Sequence, residues 1–484
     1  MRILAIDQGT SATKAIITVD RVVVAEAETP CAPTALANGG VEVDPELLWQ
    51  SVLSAGHVAI ERAGGAIPDA IGLANQGETI MAWDRRTGRP LSAAIVWQDR
   101  RSAGLCDQLR QRGWGQRLAQ ITGLELDPYF VAPKIGWLRA IVGPGPTITT
   151  TDVWLLNRLC GAFVTDAATA SRTLLADLDS VEWSSQACDA FNIDINHMPR
   201  IIDNAGVVGE TTAFAGQPVP ITGVCVDQQA ALFAESCFLP GQAKCTYGTG
   251  AFLLANAGTT PTRSSNGLVG CVAWQLDGLP TWCLDGQVYT VGAAVTWLQQ
   301  VGLIARPHDL DPVGGAVESA NGVTFIPGLA GLGAPFWAPN AKGSLTGISL
   351  GTTTAHVVRA VIDGIAAQVA WLARAAGDDL GGSLVRLRVD GGLTRSRVLL
   401  QAQADLAQIP IEVYPSPNAT ALGVAAFAEI GNEARASAGP GHRPQRDVTV
   451  DWRPSAVFEP QITADEAHTR LTQWRTVAEA TLEL

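Results

Sequence analysis

Short apolar runs alternate with longer amphipathic segments along most of the chain, and polar residues repeatedly follow the apolar runs. Apolar runs rich in β-branched residues predict buried strands, whereas apolar residues at helical spacing predict helices. The strand pattern recurs at 70–74, 80–84 and 93–99, and the helical pattern recurs at 397–407 and 464–482. The chain is therefore predicted to fold as an α/β protein.

Two similar hairpins lie about half a chain apart. The first joins apolar runs at 3–6 and 15–19 through the polar turn 7–14, and the second spans 243–255 around a Gly- and Thr-rich turn. Backbone N–H groups, hydroxyls and a cation in such turns can bind phosphates, and Asp7 can hold a hydrated Mg²⁺. On its own, the first turn indicates no more than a tight hairpin. The duplication favours two actin-like (RNase H-like) domains with the nucleotide in the cleft between them.

Composition limits the partners and the compartment. A chain of 484 residues is too long for one hydrophobic core, and we expect domains at 1–230 and 231–484. The net charge of −13 argues against nucleic acid and anionic membranes as partners. An odd set of nine cysteines without a C-x-x-C pair fits a reducing compartment, and no apolar run reaches about 18 residues. We expect a cytoplasmic protein.

Asp227 is the first candidate for chemistry. It ends the apolar run 219–226 and precedes an Ala-, Leu- and Phe-rich helical pattern. Open α/β sheets bind their ligands at such junctions between the end of a strand and the start of a helix. Asp is also a common helix N-cap, so this residue alone leaves a purely structural role open.

These segments together resemble the FGGY carbohydrate kinases, and within that family the glycerol kinases most. The resemblance covers nearly the whole chain, with its motifs in family order. They lie at 7–11, 75–79, 94–101, 127–130, 170–173, 227–233, 246–250, 331–337, 343–363 and 388–392. The resemblance implies an ATP- and Mg²⁺-dependent kinase for a hydroxyl of a small polyol or sugar, assembled as a homodimer or homotetramer. The first domain would bind the polyol or sugar and carry the first phosphate turn, and the second would bind the nucleotide.

The resemblance also implies a role for each site residue. Asp227 would be the general base for the substrate hydroxyl. The substrate site would be lined by Gly77, Glu78, Trp97, Tyr129, Asp227, Gln228 and Phe252. Nucleotide binding would involve Thr10, Ser11, Lys14, Thr249, Gly292, Gly392 and Ser396, and Asp7 would lie near Mg²⁺. Taken without the resemblance, Trp97 and Tyr129 are predicted to be ordinary core aromatics.

Position 77 departs from the glycerol kinase pattern. Glycerol kinases carry an arginine there that helps to hold the hydroxyls of glycerol, whereas this chain has Gly77. Losing a charged donor to a ligand costs roughly 1.5–3 kcal/mol. Gly77 also vacates volume, which favours a larger polyol or ketose such as erythritol, threitol, a pentitol, xylulose or ribulose. An arginine from elsewhere in the chain that refills the gap is the competing explanation.

Two alternatives outside kinase chemistry remain at this point. A non-catalytic polyol-binding regulator would explain Gly77, but the intact Asp227 argues against it. A conformational ATPase would share the nucleotide clamp, but the polyol-type cluster of Glu78, Trp97, Tyr129 and Asp227 argues against that.

Overall fold

The computed structural model describes residues 1–436 and 452–482. The strands are β1 (Arg2–Gln8), β2 (Ala12–Val19), β3 (Val22–Pro30), β4 (Thr34–Ala35), β5 (Val41–Val43), β6 (Ala70–Asn75), β7 (Ile80–Trp83), β8 (Ala94–Ile95), β9 (Thr147–Thr150), β10 (Val164–Asp166), β11 (Arg200–Ile202), β12 (Ala205–Thr211), β13 (Val219–Val226), β14 (Ala243–Tyr247), β15 (Ala251–Gly258), β16 (Val269–Leu276), β17 (Leu279–Val288), β18 (Thr324–Ile326), β19 (Ser344–Thr346), β20 (Leu387–Asp390), β21 (Ile411–Val413) and β22 (Ala456–Phe458).

The α-helices are α1 (Pro45–Arg62), α2 (Ala103–Gln111), α3 (Trp114–Thr122), α4 (Val131–Val142), α5 (Thr151–Cys160), α6 (Ala167–Ser171), α7 (Ser185–Ala190), α8 (Asp227–Ala234), α9 (Gly292–Gln300), α10 (Leu310–Gly314), α11 (Thr354–Asp379), α12 (Arg397–Ala407), α13 (Ala419–Ala436) and α14 (Ala464–Leu482). Short 3₁₀ helices lie at Ile195–His197, Pro307–Asp309 and Gly392–Arg395.

Two large sheets repeat one pairing scheme. The first has the strand order β12-β13-β6-β1-β2-β3, and the second has the order β16-β17-β15-β14-β20-β21-β22. In the first sheet β1 pairs antiparallel with β2 and parallel with β6, and in the second β14 pairs antiparallel with β15 and parallel with β20. The predicted α/β class and its internal duplication are confirmed.

Two predicted elements are shorter than expected. The first turn was predicted at 7–14, but the ladder of β1 and β2 continues until Asp7 faces Lys14 and Gln8 faces Thr13, which leaves only 9–12 in the turn. Polar residues at the end of the hairpin still pair their backbones, because the ladder needs N–H and C=O groups and no particular side chain. The strand predicted at 93–99 is reduced to β8.

Helix α13 packs against the first sheet although it comes late in the chain. It contacts β1, β6 and β13. A Cβ atom on Gly223 would lie 2.4 Å from the backbone nitrogen of Ala428, and one on Gly72 would lie 2.5 Å from the carbonyl oxygen of Val424. Only glycine lets the helix approach this closely. Residues 434–444 are rich in Ala, Gly and Pro, a composition that predicts an exposed linker. They are helical as far as Ala436, and the remainder lies outside the described residues.

Two further observations bear on the organisation of the chain. The boundary predicted between residues 230 and 231 falls within α8, which directly follows the first sheet.

Helix α11 is long and apolar enough to cross a membrane, but 67% of its most apolar window is buried inside the protein. It packs against α12 and β18, so it is a core helix of the second half.

The close packing of α13 predicts a stability difference between two glycines. Gly223→Ala forces a methyl group into the backbone of α13 and lowers the free energy of unfolding by about 1–3 kcal/mol. Gly104→Ala is the matched control, because Gly104 is exposed in α2 with no atom within 4 Å of a built Cβ. Helix propensity makes that change neutral or stabilising, by up to about 1 kcal/mol. Urea denaturation of both variants checks this, and equal effects would contradict it.

Candidate active site

A cavity of about 390 Å³ lies between the two large sheets. Both hairpin turns and the start of α8 contribute to its wall. Most of the predicted site residues line it, namely Asp7, Thr10, Ser11, Lys14, Gly77, Glu78, Trp97, Tyr129, Asp227, Gln228, Thr249 and Phe252. The fold therefore brings the polyol-type residues, the candidate base and the phosphate-type turns into one space.

Asp227 is the first residue of α8, immediately after β13. The N-cap position belongs to Val226, and the Asp227 carboxylate accepts the N–H of its neighbour Gln228 at 2.8 Å. The alternative role of Asp227 as an N-cap is therefore wrong. Burial raises the pKa of Asp227 to about 6, with a further upward contribution from Glu78 and an opposing one from Lys244. A carboxylate with this pKa is ionised at neutral pH and can still accept a proton.

A buried ion-pair network closes one end of the cavity. The Arg172 guanidinium donates from Nε to Glu78 Oε1 at 2.6 Å and from Nη1 to Asp285 Oδ2 at 2.5 Å. All three side chains are at most 5% exposed. Burial raises the pKa of Glu78, and the charge of Arg172 opposes that rise. This end of the cavity therefore offers both acceptors and a donor to the hydroxyls of a ligand.

Sequence reasoning missed Arg172 and Asp285 as residues of the cavity. Arg172 lies within the family motif 170–173, so the motif was a signal for it. Asp285 is an acid inside the largely apolar strand β17, and an isolated charge in a buried strand is the signal that could have identified it.

Three aromatic rings form the apolar wall. The ring of Trp97 lies 5.8 Å from that of Tyr129 and 5.7 Å from that of Phe252, edge to face in both cases. Trp97 and Tyr129 also belong to the hydrophobic core of the first half. The two interpretations are compatible, because the edge of the hydrophobic core also forms the wall of the cavity, and contact with a substrate stays a prediction. The indole of Trp97 donates to Thr10 Oγ1 at 2.9 Å, which joins this wall to the first phosphate turn.

Asp7 lies in the cavity wall with both turns, and it interacts with charged residues from both halves of the chain. Burial raises the pKa of Asp7 to about 7, Asp227 and Asp390 raise it further, and Lys14 lowers it. Negative charge is thus incompletely balanced here, and a divalent cation would relieve it. In residues 1–436 and 452–482, no three or more metal-binding side chains gather into a ready-made metal site. Mg²⁺ typically uses one or two carboxylates together with phosphate oxygens, which Asp7 and a nucleotide can supply.

Three predicted nucleotide residues lie outside the cavity wall. Gly292 starts α9 and donates its N–H to the carbonyl of Gly248 in the second turn at 3.1 Å. Gly392 follows β20, with open space where a Cβ would stand. Ser396 caps α12 through Leu399 and also hydrogen-bonds Asp311. These residues follow the strands of the second sheet, and their contacts with a nucleoside stay predictions.

The ion pairs of Arg172 predict a large loss of stability when that residue is replaced. Arg172→Met leaves Glu78 and Asp285 buried without their partner, and we expect a loss of about 3–5 kcal/mol. Arg263→Met is the matched control, because its ion pair with Asp179 is solvent-exposed and contributes less than about 1 kcal/mol. The denaturant concentrations at the unfolding midpoints of both variants, compared with wild type, test this prediction. A loss for Arg172→Met no larger than the control's would show that the buried pairs do not hold this end of the cavity.

The chain matches two family models in succession. Residues 2–234 match the N-terminal domain of the FGGY family of carbohydrate kinases, and residues 243–431 match its C-terminal domain. The chain is 41% identical to the glycerol kinase of Thermus brockianus, over 99% of this chain and 98% of that protein. It is 39% identical to the glycerol kinase of Bordetella parapertussis, over 99% of this chain and 96% of that protein.

Solved structures share the fold. The crystal structure of Plasmodium falciparum glycerol kinase with ADP superimposes with a TM-score of 0.88 at 31% identity, over 99% of this chain and 98% of that one. A ligand-bound xylulose kinase from Lactobacillus acidophilus has a TM-score of 0.87 at 21% identity with the same coverage, which shows a common fold. Both family models are matched in order, and relatives of about 40% identity span nearly the whole chain, so the protein belongs to the FGGY family of carbohydrate kinases.

Proposed function

We propose that the protein transfers the γ-phosphoryl group of ATP to a hydroxyl of a small polyol, and that Asp227 is the base. Its family and its glycerol kinase relatives make it a phosphotransferase with an alcohol group as acceptor. The observation that carries the proposal is that Asp227 shares one cavity with both hairpin turns and the ion-pair network. A base, an alcohol site and phosphate-binding turns are the parts that this reaction needs.

Asp227 acts on the attacking hydroxyl. Its carboxylate accepts the hydroxyl proton as the oxygen attacks the γ-phosphorus, and proton acceptance of this kind contributes about 10²- to 10⁴-fold. The N–H of Gln228 fixes one carboxylate oxygen, so the group is oriented before the substrate binds. Cleft closure around the substrate would exclude water, which otherwise competes as the acceptor.

The polyol binds beside the base. Glu78 and Asp285 accept hydrogen bonds from its hydroxyls, and Arg172 donates one. Trp97, Tyr129 and Phe252 cover its carbon chain. Small-molecule sites combine an apolar wall with a few convergent polar groups in this way.

The nucleotide binds across the two turns. Thr10, Ser11, Lys14 and Thr249 line the cavity. Their hydroxyls and ammonium group, with free backbone N–H groups of the turns, would bind the phosphates. The nucleoside lies toward Gly292, Gly392 and Ser396. The Plasmodium falciparum relative was solved with ADP, which supports a nucleotide in this cleft.

Asp7 is the residue that would hold Mg²⁺ together with the phosphates. Its incompletely balanced negative charge fits a divalent cation. Mg²⁺, when bound, stabilises the charge that develops on the transferred phosphoryl group.

A larger polyol or ketose is the second candidate substrate. Within 4 Å, a Cβ atom on Gly77 would meet only Val226 Cγ2, at 3.0 Å. The arginine found there in glycerol kinases is replaced by space, which supports a substrate of four or five carbons. Arg172 supplies a guanidinium at the same end of the cavity, which supports glycerol.

Further parts of the proposal concern organisation and location. We place a substrate-binding domain at 1–230 and a nucleotide-binding domain at 231–484, which the separate family matches at 2–234 and 243–431 support. All nine cysteines are free thiols, which supports a reducing cytoplasm. A homodimer or homotetramer is proposed from the family alone.

A coupled ADP-release assay tests the activity. With ATP and Mg²⁺ the wild-type chain should release ADP on addition of glycerol, erythritol, threitol, a pentitol, xylulose or ribulose, and the best acceptor identifies the substrate. Asp227→Asn should lower kcat by about 10²- to 10⁴-fold. Asp179→Asn, an exposed carboxylate remote from the cavity, is the control and should match wild type. No ADP release with any of these acceptors would favour a non-catalytic binder.

The raised pKa of Asp227 predicts an acid limb in the pH profile. Because the base works in its ionised form, kcat/KM should rise with pH through about 6 and fall about tenfold per unit below it. Asp227→Glu keeps a carboxylate and should keep an acid limb. If the residual activity of Asp227→Asn still fell below about pH 6, the acid limb of the wild-type profile would belong to the titration of another group.

A further inference from the structure

Lys244 lies directly behind the candidate base and is fully buried. It belongs to β14, the strand that leads into the second phosphate turn. Ala243, Cys245 and Tyr247 point into the core of the second half, so Lys244 and Thr246 point to the opposite face of the strand. Thr246 lines the cavity, and Lys244 lies one pleat further from it.

The Lys244 ammonium makes two side-chain hydrogen bonds. Nζ donates to Gln228 Oε1 at 2.5 Å and to Thr246 Oγ1 at 2.8 Å. An ammonium can only donate, so it holds the oxygen end of the Gln228 amide. The backbone N–H of the same residue donates to Asp227 Oδ1 at 2.8 Å. A chain of contacts therefore runs from Lys244 through Gln228 to Asp227.

We propose that Lys244 is a positioning residue of the phosphoryl transfer, which holds Gln228 by its side chain and, through the backbone N–H of Gln228, orients the Asp227 carboxylate. Lys244 does not line the cavity, so its effect passes through Gln228. Lys244 precedes the second phosphate turn, and Gln228 follows the first sheet. The contact between them therefore also fixes the position of Asp227 relative to that turn. The inference rests on the proposed role of Asp227 as the base.

Charge balance is the competing explanation for this lysine. The buried carboxyl groups of Glu235 and Asp390 also interact with Lys244. Neither oxygen of Glu235 has a hydrogen-bond partner among the described residues. Arg388, opposite Lys244 in the ladder of β14 and β20, donates to the Glu235 carbonyl at 2.6 Å and shares this charged region without touching Gln228.

A double-mutant cycle on kcat separates the two explanations, using the acceptor on which the wild-type chain releases ADP. Lys244→Met should lower kcat by about 10- to 100-fold, the effect expected of one hydrogen bond to a charged group, and leave the KM for ATP within about twofold. In a Gln228→Leu background the same change should have almost no further effect on kcat, because the route to Asp227 is already removed. Losses that multiply in the double variant would overturn the proposal.

Two further variants keep the test decisive. Arg388→Met, the matched control, removes a neighbouring, partly buried cation and should lower the melting temperature while leaving kcat within about twofold. Lys244→Arg keeps the buried charge and serves if Lys244→Met does not fold. In Lys244→Arg the N–H donors are displaced from Gln228 Oε1, so kcat should fall. That loss of kcat should be absent in the Gln228→Leu background. An unchanged kcat for Lys244→Arg would overturn the proposal. If the wild-type chain releases no ADP with any acceptor, the proposed function is overturned instead.

Discussion

Arg172 holds Glu78 and Asp285 in ion pairs that are almost without solvent contact, and these pairs join the first half of the chain to the second. Charge buried in this way is stable only when its partners stay in place, because an unpaired buried charge costs several kcal/mol. The network therefore holds the two halves together at this end of the cavity, where we propose that the alcohol binds. The aromatic wall and the start of α8 lie against that fixed end.

The backbone arranges the opposite end of the cavity. Two hairpins with the same pairing scheme present their turns to one cleft, and Asp227 stands between them at the junction of β13 and α8. Close packing of α13 on Gly72 and Gly223 supports the sheet that carries this junction. The same burial that builds the cleft raises the pKa values of Asp7 and Asp227, so the fold itself tunes the groups that we propose for the reaction.

Much of this arrangement could be predicted from the sequence. Apolar runs ending in Asp or Gly gave the junction at Asp227 and the second hairpin, because strand burial and turn chemistry are local properties. The family motifs placed most cavity residues together. The partners Arg172 and Asp285 and the buried lysine behind Gln228 escaped notice, because each depends on side chains brought together from distant segments. The length of the first turn was also wrong, since ladder pairing continues through polar residues.

The central claim is that Asp227 meets the substrate hydroxyl in line with the γ-phosphate. A crystal structure of Asp227→Asn with a non-hydrolysable ATP analogue, Mg²⁺ and the best polyol tests this most directly. We expect one polyol hydroxyl within about 3 Å of the residue 227 side chain and of the γ-phosphorus, with the phosphates across both turns. A polyol bound away from residue 227, or a nucleotide outside the cleft, would contradict it.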